Sequence, residues 1–234
     1  MITALDHLTV GGSLKVYETL LGRRAVEGQL RTANVGLTFA DGPTGLRSMT
    51  FSTGNLAKAA TLLERRAVPF AQDRDDALSF EGHGVAIGIA AEMAASPSPC
   101  TDDEAACVSG LDHVVIRTPK PERAIAFYAG RLGLDLRLDR SNPKWGARLL
   151  FFRCGDLVVE NAHDLKKGVS DGPDDLWGLS WRVPDIDMAN ARLRAAGIEV
   201  SEPRDGRRPG SQVFTVKNGT EDVPTIVIGG IGRW

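Results

Sequence analysis

The string Leu-Asp-His occurs twice, at residues 5–7 and 111–113, and each time it opens a short β-like run that gives way to a helix-like run. A chain that restarts its own pattern is constrained more tightly by the repeat than by its composition, because each copy must bury equivalent faces. Two further segments follow the same plan without the motif. One begins at Leu46 with LRSMTFST and continues as NLAKAATLLERRAV; the other begins near Trp177 with WGLSWRVP and continues as DIDMANARLRAAGI. The helical runs carry apolar residues at three- and four-residue spacing, as at Leu56, Ala59, Ala60 and Leu63. Asn55 and Asp185 stand where N-caps are expected, and Gly22, Gly133 and Gly197 stand where helices close.

Counting aligns the copies. His7 matches His113 at an offset of 106, whereas Asn55 matches Asp185 at an offset of 130, with no gap through the helix. The third segment therefore holds 24 residues that the first lacks. It has room for the strands DLRLDR, ARLLFFRC and LVVENA, while the first has room only for AVEGQLRT and NVGLTFA, so the first module is expected to have lost strand length. The stretch AAEMAASPSPCTDDEAACVSG is small and polar with no clear period. It predicts a linker at 91–109, with TDDEAACV as a candidate short helix, between a module pair at 1–90 and another at 110–234.

Of the 234 residues 42% are hydrophobic, enough for a sizeable core, and the net charge of −2 provides no basic field for nucleic acid or an anionic membrane. No apolar run is long enough to span a bilayer, and MITALDHL has neither a basic leader nor a cleavable apolar stretch, which predicts a cytoplasmic protein. Three cysteines without a C-x-x-C pair fit reduced thiols.

The run LDHVVIRTPKPERAIAFYAGRLGLDL, followed by LLFFRCGDLVVE, resembles the vicinal oxygen chelate superfamily, the group of glyoxalase I, the bleomycin-resistance proteins, the fosfomycin-resistance enzymes and the extradiol dioxygenases. The resemblance implies an α+β fold of four βαβββ modules forming two paired, partly open mixed-sheet barrels with helices outside. It also implies a cavity for a small molecule, with a divalent metal such as Zn, Mn, Ni or Fe(II) on its floor.

Strand alternation gives a separate reading of that cavity. His113, Val115 and Arg117 share one face of their strand, Val158, Glu160 and Ala162 share one face of theirs, and the inferred faces of His113 and Glu160 match. A carboxylate among Val and Ala needs a partner, because burying it unpaired is costly. By the resemblance, His113 and Glu160 stand at metal-ligand positions, and Glu160 is also the candidate catalytic base. The matching partner positions, Ser48 or Gly178 on first strands and Gly88 or a residue of 225–227 on last strands, supply no strong ligand; His7 is kept, but its last-strand partner is about Thr38. Arg117, Arg182 and Trp145 are candidate substrate contacts. His83 is read as structural, His163 and Asp164 as a solvated loop, and Arg204, Arg207 and Arg208 as a solvated loop that can also hold a carboxylate or phosphate. Two functions stay open: a metal-dependent lyase, isomerase or dioxygenase, and a metal-free protein that sequesters a small, planar or anionic compound. A homodimer is equally open.

Overall fold

The computed structural model describes residues 2–74, 76–92 and 95–230. Its architecture is α+β, with one seven-stranded and one eight-stranded mixed sheet and four helices. The first segment runs β1 (Ile2–Gly11), α1 (Leu14–Leu21), β2 (Leu30–Arg31) and β3 (Gly36–Ala40). The second runs β4 (Gly45–Thr53), α2 (Leu56–Arg65), β5 (Ala71–Arg74), β6 (Ala77–Gly82) and β7 (Val85–Ala91). The third runs β8 (Gly110–Arg117), α3 (Pro121–Ala124, continued by a π-helical stretch Ile125–Arg131), β9 (Asp135–Asn142), β10 (Ala147–Cys154) and β11 (Leu157–Asp164). The fourth runs β12 (Asp175–Arg182), α4 (Ile186–Ala195), β13 (Arg204–Asp205), β14 (Gln212–Val216) and β15 (Thr225–Gly229). No helix among these residues is long and apolar enough to cross a membrane.

The helices start and stop where local chemistry predicts. The Asn55 side chain accepts from the Lys58 amide at 2.8 Å, and Asp185 accepts from Asp187 and Met188, so both N-termini are capped. Gly22 ends α1 with φ 65°, a left-handed conformation that costs glycine no Cβ clash.

In the second, third and fourth segments the strands lie in the order first, fourth, third, second. The first segment has only β1-β3-β2, so the outermost strand is the one missing. Losing an edge strand leaves unpaired backbone groups on the new edge. Residues of the linker cover it. Ser98 donates its amide to the Arg31 carbonyl and accepts the Arg31 amide on its hydroxyl, both at 2.9 Å; Arg24 donates to the Pro99 carbonyl, and Thr101 to the Gly22 carbonyl. The expected short helix there is a single 3₁₀ turn, Glu104–Ala106.

Within each sheet two modules join through their first strands, β1 with β4 and β8 with β12, both antiparallel. Alternate residues of β8 and β12 are buried against the helices, with Val114, Ile116, Leu179 and Trp181 at most 2% exposed. The two sheets then interlock reciprocally. The β6–β7 hairpin docks on the third segment, where the His83 ring meets Phe127 edge-on and the Asp174 amide donates to the His83 carbonyl. The β14–β15 loop docks on the first segment, where Glu221 accepts the Ser13 amide at the start of α1 and Tyr17 donates to the Thr220 carbonyl. Arg192 of α4 donates to the Thr19 and Leu20 carbonyls at the end of α1. Asn34, in the β2–β3 turn, donates to the Leu111 carbonyl at 2.8 Å and to Asp156 at 2.9 Å, and accepts the Leu111 amide at 2.8 Å.

Asn34→Ala strands both backbone groups of Leu111 in a buried junction, so it should cost about 2–4 kcal/mol. Urea unfolding of the variant should show one transition, as in the parent, at a lower midpoint. Two resolved transitions in the parent would mean that the interlock does not couple the sheets.

Candidate functional site

The Leu-Asp-His motif owes its meaning to a backbone irregularity. Along β8 and β12, His113 pairs with Ser180 and Leu111 with Trp181, so Asp112 is one residue too many. The same happens along β1 and β4, where His7 pairs with Thr50 and Leu5 with Phe51, leaving Asp6 extra. Such a bulge re-aims the side chain it carries. The Asp112 carboxylate lies 2.9 Å from His113 Nδ1, and Asp6 lies 3.0 Å from His7 Nδ1. A carboxylate on Nδ1 puts the proton there and turns Nε2 outward.

His113 Nε2 is 3.5 Å from Glu160 Oε2, with the two side chains 16% and 12% exposed. Glu160 reaches this position because β11 runs parallel to β8, with Glu160 beside Val115. Burial alone pushes the His113 imidazole down, but its hydrogen bond to Asp112 and the charges of Glu160 and Asp112 outweigh burial and hold its pKa above the ordinary histidine value; the positive charge of Arg207 opposes them. Ser180 lies directly across from His113, wholly buried, and its hydroxyl has no protein partner.

Arg207, one of the loop arginines that the sequence offers as able to hold a carboxylate or phosphate, bears on His113 through its charge. It lies in the loop between β13 and β14, and its guanidinium stacks on the Trp145 ring at 4.4 Å. Arg140 of β9 lies 5.5 Å from the same ring, and register puts it on the face of Glu160. Strands β9 and β13 are the two edges of the eight-stranded sheet, so the Trp145–Arg207 contact joins loops from opposite edges and shows how far the sheet curls. Arg207 and Arg208 lie exposed in that loop, as the sequence reading has it, Arg204 falls in β13, and Arg207 also contacts Trp145. Arginines at a Gly/Pro-bounded loop were the available signal; the partner across the sheet was not.

The other candidates fall elsewhere. Arg117 is paired with Asp175 and lies over Trp177 at 5.2 Å, at the rim of the same face. Arg182 is buried and held by Asp156 at 2.9 Å, beside Asn34, where the absence of a side chain at Gly110 leaves room. His163 is no loop residue: it lies in β11, 5% exposed, with Nδ1 at 3.1 Å from the Thr118 carbonyl. A surface cavity of about 500 Å³ opens at the junction of the sheets, lined by α1, the linker and α4, but its Arg192 is already bonded to carbonyls.

A divalent ion here would find His113 and Glu160 and little else. The positions related to them by the approximate two-fold between β8 and β12 are Gly178 and Ile226, which carry no ligand atom. A Cβ at Gly178 would sit 2.8 Å from the Pro224 carbonyl oxygen, so a larger residue is excluded without backbone movement. No group of three His, Cys, Asp or Glu gathers anywhere among the described residues. A catalytic zinc site ordinarily has three protein ligands, and the Arg207 charge adds repulsion, so this donor set does not fit a resident ion. In the N-terminal sheet the equivalent positions are His7, Thr38, Ser48 and Gly88.

Residues 112–215 match the model of the glyoxalase/bleomycin resistance protein/dioxygenase superfamily. No curated protein matches the sequence. Among solved structures, a catechol 2,3-dioxygenase superimposes with a TM-score of 0.70 at 19% identity, covering 99% of this chain and 88% of that one. A halotolerant catechol dioxygenase gives 0.72 at 14% identity, with 100% and 88% covered. The 2,2',3-trihydroxybiphenyl 1,2-dioxygenase of Sphingomonas wittichii strain RW1 gives 0.68 at 17% identity, with 100% and 91% covered. Likeness at these identities establishes a shared fold.

His113, raised in the folded state, contributes stability that is fully present below the unfolded histidine value of about 6.5 and is lost as pH rises through the folded value. NMR titration should therefore find His113 above the ordinary range and find it lowered in Glu160→Gln. The stability difference between parent and variant should shrink from pH 6 to pH 9; a constant difference would contradict the pairing.

Proposed function

Because residues 112–215 match the model of the glyoxalase/bleomycin resistance protein/dioxygenase superfamily, we propose that the chain binds a small organic molecule on the curled face of its C-terminal sheet without a resident metal ion. The observation that carries this reading is an intact His113–Glu160 pair whose two-fold counterparts are Gly178 and Ile226. Without an ion, the pair addresses the ligand itself. At 3.5 Å the gap between Nε2 and Oε2 is wider than a good hydrogen bond, and a ligand hydroxyl placed against both has an acceptor in Glu160 and a donor in a protonated His113. Ser180 Oγ, buried and unpartnered, adds a third polar contact on the same face. Val115 and Phe151, beside Glu160 in register, supply apolar walls.

One observation favours a second reading, a metal-dependent lyase, isomerase or dioxygenase. Asp112 on His113 Nδ1 is the support that metal-ligating histidines commonly have. The missing third ligand weighs against it.

Protein purified without added metal or a histidine tag should carry no stoichiometric metal by elemental analysis, and calorimetric titration with Zn, Mn, Ni and Fe(II) should show no one-to-one binding. Stoichiometric binding that His113→Ala and Glu160→Ala both abolish, and His7→Ala leaves intact, would replace this reading with the second.

A further inference from the structure

Six arginines of the C-terminal half are paired with nearby acids: Arg117 with Asp175, Arg123 with Asp174, Arg137 with Asp135, Arg148 with Asp139 and Glu122, Arg182 with Asp156, and Arg194 with Glu202. Arg140 and Arg207 differ. Among the described residues their recorded partner is the Trp145 ring, and no carboxylate pairs with either. We infer that Arg207, with Arg140 behind it, is the anchor for a negatively charged group, and that the ligand is a carboxylate carried on a flat ring. This inference rests on the reading of the curled face as a small-molecule site.

Three features support it. The two guanidiniums converge on one aromatic ring, so their charges reinforce one another there. Trp145 keeps 41% of its surface exposed even with both arginines beside it, which leaves ring area for a second flat group to stack on. The Arg207 charge also reaches His113, where it opposes protonation. A guanidinium over an indole face can keep its edge N–H groups free, and those match the two oxygens of a carboxylate. At the other end, Ser180 and the His113–Glu160 pair offer neutral and charged hydrogen bonds, so charge recognition and polar recognition lie at opposite ends of the ligand.

The test is calorimetric titration with benzoate and benzyl alcohol, which share a flat ring and differ in the carboxylate. Arg207→Gln should weaken benzoate about tenfold or more, and benzyl alcohol by less than about twofold, because a charge-assisted pair is lost only with the former. Arg207→Lys should fall between, since it keeps the charge but not the planar fork. His113→Ala should weaken both probes. An unchanged thermal midpoint in Arg207→Gln would confirm that the loop substitution leaves the fold intact. If Arg207→Gln binds benzoate as the parent does while His113→Ala weakens both probes, the anchor is wrong and the small-molecule site stands. If neither probe binds the parent, or binding ignores His113→Ala, both fall.

Discussion

Each half of the molecule turns on one irregularity, the bulge that places the aspartate of Leu-Asp-His beside its own histidine. In a regular strand successive side chains point to opposite faces, and Asp112 would be turned away from His113. The extra residue against β12 breaks that alternation and brings the carboxylate to Nδ1 at 2.9 Å. The ring is thereby fixed with Nε2 toward Glu160. The same strand pair sets the register between two modules, so the local kink decides both how the modules join and which atom the histidine offers.

The approximate two-fold about β8 and β12 provides equivalent positions but not equivalent residues. One module carries His113 and Glu160; its mate carries Gly178, with its Cβ space taken by Pro224, and Ile226. The N-terminal sheet has gone further, with Thr38 where the carboxylate would stand. It also braces the C-terminal sheet. Its hairpin covers Phe127, its Asn34 serves Leu111 as a neighbouring strand would, and its first helix is capped by Glu221 from the other sheet. A module short of one edge strand keeps that edge covered because the linker makes hydrogen bonds the strand would have made.

Around His113, two acids are largely buried and two arginines are exposed. The acids Asp112 and Glu160 lie deep, balanced by an imidazole whose pKa they raise, while Arg140 and Arg207 stand at the mouth on Trp145. A buried hydroxyl such as that of Ser180 is expensive to leave unbonded.

The order of elements, the shortened first module and the shared face of His113 and Glu160 were legible in the sequence, because hydrophobic period and residue count are local quantities that survive without a partner in view. The shortened segment was visible as 24 missing residues, and the face of Glu160 as alternation along LVVENA. What depended on the closing of the sheet was not legible. Arg182 shares a strand with Ser180, yet its partner Asp156 comes from a turn two strands away in the sheet. His163 looked like a post-strand residue because nothing local shows that β11 continues through it and that Thr118 waits for its ring. Arg207 and Trp145 are 62 positions apart in the chain and sit in loops at opposite edges of the sheet. Only the curl of eight strands brings them together, because curvature accumulates over every strand pair and is written in no single one of them.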